Sequence, residues 1–326
     1  MQLRTLVPTL ALSATAVGGL QASDVQIGGF VDAILNIVDE EAADDTSIDF
    51  TSTAVLQLSS EISEVVSLNV DLQYDDMDSF SLRQAYSTWA VNDQVTLQFG
   101  KSISWIGYQA AYAPGLYRVG VTPYTGDYYG NDTVGVWGMF SPMENVGVTV
   151  AIVDDIYGSK SEPDSFGIGA EASVDIEGYG NVQVELQYDQ SGADFWQGYT
   201  TEAIAADDAA MTILAHTTAD QVVDGFTFGG EIVYGDYDAS TGMGIMAMAN
   251  YVINDMASAT LMVSYYDPNT DDDVGGTDDD LIEVAVALLT TPTMDSNFAV
   301  NAEIAFLSSE ASDDIGIFLE ALAIIP

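Results

Sequence analysis

From Asp24 onward the chain runs as short apolar segments that alternate with period 2, and those running one way nearly all finish on an aromatic residue. Val66, Leu68, Val70, Leu72 and Tyr74 share one strand face, as do Val95, Leu97 and Phe99, then Val182, Val184, Leu186 and Tyr188. Phe226, Phe228, Ile232 and Tyr234 repeat the arrangement, followed by Ala259, Leu261, Val263 and Tyr265, and by Phe298, Val300, Ile304 and Phe306. The interleaved positions are polar or small, such as Ser67, Asn69, Asp71 and Gln73. A soluble sandwich alternates too, but its packing does not call for an aromatic at the same end of each apolar face. A barrel in lipid does, because aromatic rings form the interfacial girdle around an apolar outer band and a polar interior. The pattern predicts an all-β chain folded as a transmembrane antiparallel up-and-down β-barrel of the outer-membrane kind.

Composition narrows the alternatives. Of 326 residues 48% are hydrophobic, while 51 acidic side chains face 5 basic ones for a net charge of −46. Disordered acidic chains are poor in apolar residues, and this one is not. Nucleic acid is excluded as a partner, since hardly any Lys or Arg exists to displace counterions from phosphates. After the N-terminus no stretch offers the roughly 20 continuous apolar residues of a membrane-spanning helix, so a spanning chain must cross with strands. Without cysteine there is no disulfide, thiolate metal site or Cys-linked lipid anchor.

Residues 1–22 read as an export signal, with Arg4 in a positive n-region, an apolar run from Leu6 to Leu20 and Ala22 before the cleavage point. Cleavage after Ala16 is the alternative. The remaining 23–326 form one barrel domain. Sixteen strands are expected near 25–37, 48–59, 65–74, 80–91, 94–101, 132–141, 146–154, 165–176, 181–189, 209–218, 226–235, 243–253, 256–266, 280–290, 297–307 and 315–325, with 14 or 18 as alternative counts. Tight links follow strands two, four, six, eight, twelve and fourteen, and the other connectors are longer, more acidic and richer in Gly. That asymmetry places the tight turns in the periplasm and the long loops outside. Sixteen strands enclose a water-filled lumen, which points to a pore.

The longest connector, Ser102 to Asn131, is the third external loop and carries Trp105, Tyr108, Tyr112, Arg118 and Asp127 among many Tyr and Gly. It is expected either to fold inward as a constriction or to cap the barrel, with a further hairpin around Leu116 to Pro123 as part of the second reading. Register sends Asp32, Asp49, Asp71, Glu171, Asp175, Glu185, Glu231, Glu283, Glu303 and Glu320 to the lumen, with Arg83 as the one strand base among them. Arg83 is expected to create a transverse field at a constriction or to anchor the loop through an ion pair. An acid-lined lumen implies a preference for small cations.

The stretches Leu82-Arg83-Gln84-Ala85-Tyr86, Phe99-Gly100-Lys101 and Ile106-Gly107-Tyr108-Gln109 resemble the OmpL-like β-barrel porin family, with Gln109 where that family tends to have Glu. The resemblance is clearest over 80–140. It implies an outer-membrane diffusion channel for ions and small hydrophilic solutes in a Gram-negative envelope, brings no catalytic residues, and by analogy with other porins suggests a homotrimer among membrane lipids and lipopolysaccharide. The chain ends in Ile324-Ile325-Pro326, without the terminal aromatic common in outer-membrane barrels.

Other chemistry is sparse, and neither a catalytic centre nor a resident cofactor is expected. His216 is the only histidine and is expected to face the lumen as a polar lining residue. The acidic loop from Asp267 has oxygen ligands at Asp267, Asn269 and Asp271 with calcium-loop spacing, but Asp272 stands where the turn requires Gly. Loose Ca²⁺ binding or a solvated acidic loop are the two readings. The remaining class of function is a structural or adhesive barrel without an open channel.

Overall fold

A strand in hydrocarbon leaves both backbone edges unsatisfied unless the sheet closes on itself, and this sheet closes completely. In the computed structural model the described residues are 25–40, 45–75, 80–103, 107–109, 112–125, 132–154, 156, 166–190, 209–237, 240–268, 280–291, 297–310 and 312–325. Sixteen antiparallel strands follow in chain order: β1 Gln26–Glu40, β2 Asp45–Ser63, β3 Val66–Asp75, β4 Phe80–Asn92, β5 Val95–Ser102, β6 Thr133–Met143, β7 Val146–Val153, β8 Gly167–Ile176, β9 Gly180–Asp189, β10 Ala210–Ala219, β11 Phe226–Tyr237, β12 Ser240–Asn254, β13 Ala257–Asp267, β14 Leu281–Thr290, β15 Phe298–Ser308 and β16 Asp313–Ile325. Each pairs with its sequence neighbours, and β1 pairs with β16 to close the barrel. The closing register runs from Gly29 opposite Ile325 to Glu40 opposite Asp314, so the aliphatic chain end makes an ordinary seam.

Register assigns the two faces as the alternation requires. Tyr74, Phe99, Tyr188, Tyr234 and Phe306 are exposed at the end of upward strands that carries the longer connectors, while Trp89, Phe140, Tyr251 and Phe298 are exposed near the tight-turn end. Between these girdles lies an aliphatic band that includes Val150, Ile152, Val184, Ile213, Ile232, Leu261 and Val286. Connector lengths differ from the sequence reading at several points: the β3–β4, β11–β12 and β15–β16 links, expected among the longer ones, span only 76–79, 238–239 and 309–312. The β10–β11 link, 220–225, belongs with the tight turns, and β1 and β2 remain paired up to Glu40 and Asp45, which leaves only 41–44 between them.

The interior is not uniformly wet. Met246, Met248, Met262, Leu214, Val233, Trp137 and Tyr266 form one buried apolar cluster, and Phe30, Val55 and Leu322 form a smaller one. A barrel of this size has no reason to pack its inner wall against itself. What packs there is the β5–β6 connector.

Candidate pore constriction

The described parts of that connector, 107–109 and 112–125, lie inside the barrel. No hairpin forms over 116–123, and Ala113–Gly115 makes a 3-10 turn. The loop touches the wall at five stations, each built around an inward carboxylate. Gly107 N–H donates to Glu185 Oε2 at 3.0 Å, and Tyr108 N–H donates to Glu231 Oε2 at 2.7 Å. Tyr112 then reaches the opposite side, where its hydroxyl donates to Asp71 Oδ2 at 3.0 Å and its ring meets Phe30 edge-on with centroids 5.4 Å apart. Tyr124 returns to Glu231, donating to Oε1 at 2.9 Å.

The remaining two carboxylates hold Arg118. Its Nη1 and Nη2 donate to Glu283 at 2.7 and 2.6 Å in a bidentate fork, and Nη2 and Nε donate to Glu303 Oε1 at 2.6 and 3.1 Å. The second oxygen of Glu303 accepts Val119 N–H at 2.8 Å and Gly120 N–H at 3.2 Å. Side-chain exposure is 2% for Arg118, 8% for Glu283 and 0% for Glu303, so this is a buried, fully bonded ion triad. Burial alone would lower the Arg118 basicity, but the hydrogen bonds and charges of Glu283 and Glu303 more than reverse that and hold it above the ordinary arginine range. Burial also raises the hydroxyls of Tyr112 and Tyr124, with Asp71 and Glu231 adding to the shift, so both stay protonated donors.

Within the loop Gln109 ties its two limbs together. Its Nε2 donates to Thr122 Oγ1 at 2.6 Å and to Thr125 Oγ1 at 3.1 Å, while its Oε1 accepts Thr122 N–H at 3.1 Å. An amide supplies both donor and acceptor here, which accounts for Gln at this position. Two strand glycines make room for loop rings: a Cβ on Gly244 would lie 2.7 Å from the Tyr124 ring, and one on Gly229 would collide with the Tyr108 hydroxyl end.

The expected lumen carboxylates thus divide. Asp71, Glu185, Glu231, Glu283 and Glu303 face inward but are buried and bonded to the loop. Asp71 also accepts Gln57 at 3.1 Å and Gln84 at 2.7 Å. Asp32 is buried beside the seam, where Asn301 donates to Glu320. Glu171 is half-buried and accepts Gln183, whereas Asp49 and Asp175 are exposed, the latter accepting Asn181. Arg83 sits at a bulge, since Leu82 opposes Leu72 and Gln84 opposes Asp71. It pairs with Asp132 at 3.1 Å, and Lys101 pairs with the same residue at 3.3 Å, so the two bases clamp the foot of the loop. The cation set against the wall carboxylates is Arg118, held by Glu283 and Glu303 of the neighbouring strands β14 and β15, a loop residue that strand alternation does not reach. His216 faces the lumen with Nε2 2.9 Å from Glu185 Oε1 and its ring edge-on to Tyr108. Trp105 and Asp127 lie outside the described residues, as do Asn269 and Asp271, while Asp267 is the last residue of β13.

No family model and no curated protein sequence matches the chain. Among solved structures, the anion-selective porin from Comamonas acidovorans is 12% identical, with 94% of this chain and 100% of that one covered at a TM-score of 0.68. OprB of Pseudomonas putida is 9% identical over 92% and 94% of the two chains at 0.70, and the outer membrane channel DcaP of Acinetobacter baumannii is 12% identical over 92% and 97% at 0.66. The resemblance to the OmpL-like family rests on its short motifs alone. At such identities the likeness establishes the architecture alone, a closed sixteen-stranded antiparallel barrel like that of these solved porins.

Proposed function

We propose that this protein is an outer-membrane porin through which ions and small hydrophilic solutes diffuse, with the long-loop end outside and a preference for cations. The observation that carries the reading is the β5–β6 connector drawn into a closed barrel and held at five wall carboxylates, while the inner faces of β3–β5 keep half-exposed polar side chains. A loop that narrows a lumen without filling it makes a size filter. The cation preference rests on the acids still in contact with water, Asp49 and Asp175 in the barrel wall, backed by a net charge of −46. The same reading has the protein exported with residues 1–22 removed, assembled as a homotrimer among lipids and lipopolysaccharide, and binding Ca²⁺ loosely at its acidic outer connectors, Asp267 among them. No catalytic step is assigned to it. Purified, refolded protein in planar bilayers should give stable ohmic conductance steps, and a folded barrel that never conducts would refute the channel in favour of a structural barrel.

A further inference from the structure

We infer that the passage beside the seated loop runs along an uncharged wall on β3–β7, and that it is suited to neutral, hydroxyl-rich solutes. This inference rests on the porin reading and names the solute class of the same lumen. In a chain with 51 acidic residues, β4, β5, β6 and β7 contain no Asp or Glu at all. Their only bases, Arg83 and Lys101, lie toward the long-loop end and are both paired with Asp132. Toward the tight turns from Asp71, the inward positions include Asn69 on β3, Tyr86 and Thr88 on β4, Gln98 on β5 and Thr149 on β7, all half-buried and therefore reached by water, with Met139 as the apolar member on β6.

The opposite wall is the reverse. Strands β8–β15 carry Glu171, Glu185, Glu231, Glu283 and Glu303 on their inner faces, and four of these five are buried against the loop or its neighbours. The loop thus covers four of the five wall carboxylates and leaves the neutral sector open, with half-buried Glu171, opposite Thr149, at its border. Amides, hydroxyls and one phenol ring offer donors, acceptors and an aromatic face without a fixed charge. A polyol exchanges its water hydrogen bonds for these at little cost, whereas an ion leaves part of its hydration shell with no counter-charge to replace it.

Proteoliposome swelling tests this with glucose as the neutral probe and gluconate and glucosamine as charged probes of nearly the same size. Glucose should enter several-fold faster than gluconate, at a rate that does not change with KCl concentration. Gln98→Glu, or Asn69→Asp if that variant fails to fold, should shift the zero-current potential toward cations, because the new charge stands in the open path. Glucose entry slower than both charged probes, or a folded charge variant with an unshifted potential, would overturn the neutral passage while leaving a conducting porin. Absence of both conductance and swelling for every probe would instead remove the porin reading beneath it.

Discussion

Arg118 is one cation shared by two buried carboxylates, and it ties the middle of the described connector to β14 and β15. A guanidinium presents two edges at once, which an ammonium cannot, so the fork onto Glu283 and the second bond to Glu303 depend on arginine rather than on positive charge alone. In Arg118→Ala two buried carboxylates lose this counter-charge and keep only neutral donors, the N–H groups of Val119 and Gly120 and the Ser264 hydroxyl, and breaking a buried pair of this type costs about 3 to 5 kcal/mol. The variant should unfold at lower temperature in a gel-shift assay of heat modifiability and show a noisier, larger conductance, with Arg118→Lys intermediate. Unchanged noise and melting in Arg118→Ala would mean that the loop is held without this residue. Nothing local in the sequence announces this role. Alternation singles out Arg83 because it sits in a strand, whereas the partners of Arg118 lie 165 and 185 positions away in the chain.

At the level of elements, period-2 alternation with terminal aromatics makes every strand legible, because lipid on one side and water on the other impose the same two-residue code on each. The strand order follows too, since a meander has no other way to close. The seat of the β5–β6 loop is another matter: its length and aromatic content fit equally with a cap and with an inward fold. The deciding contacts are made by wall positions whose polar or glycine identity already looks normal for a lumen. Gly244 and Gly229 are the faint local signals, glycines inside strands where a side chain would usually pack. Gly244→Ala places a Cβ about 2.7 Å from both the Tyr124 ring and Val233 Cγ1. Such overpacking costs roughly 1 to 3 kcal/mol, and because Val233 is fixed in the β11 ladder whereas Tyr124 belongs to the connector, the Tyr124 ring should be the one displaced. Chymotrypsin should then cut the loop of the folded variant faster than that of the parent protein, and equal cutting rates would show that Tyr124 does not depend on that gap.

Over the whole molecule, the sign of selectivity follows from where charge remains in contact with water rather than from how much the chain carries. Seating the loop takes Asp71, Glu185, Glu231, Glu283 and Glu303 out of the open lumen and adds Arg118 among them, so a lumen lined by ten free acids is not what a permeating ion meets. Apart from half-buried Glu171, the inner-wall acids in contact with water stand at the two mouths: Asp49 toward the long loops, and Glu61 and Asp175 toward the tight turns. Charges at the mouths of a low-dielectric tube still concentrate cations, but they act through solvent and are open to screening. The Debye length falls from about 10 Å at 0.1 M to about 3 Å at 1 M ionic strength, so charges at the mouths lose most of their reach in concentrated salt. Zero-current potentials across a KCl gradient should therefore report clear cation preference in dilute salt and little in concentrated salt. Asp49→Asn with Asp175→Asn should reduce the dilute-salt value, while Glu303→Gln should act mainly on loop stability and noise. Anion preference in dilute KCl, or a preference that survives at high salt, would place the selecting charges inside the narrow zone and not at its mouths.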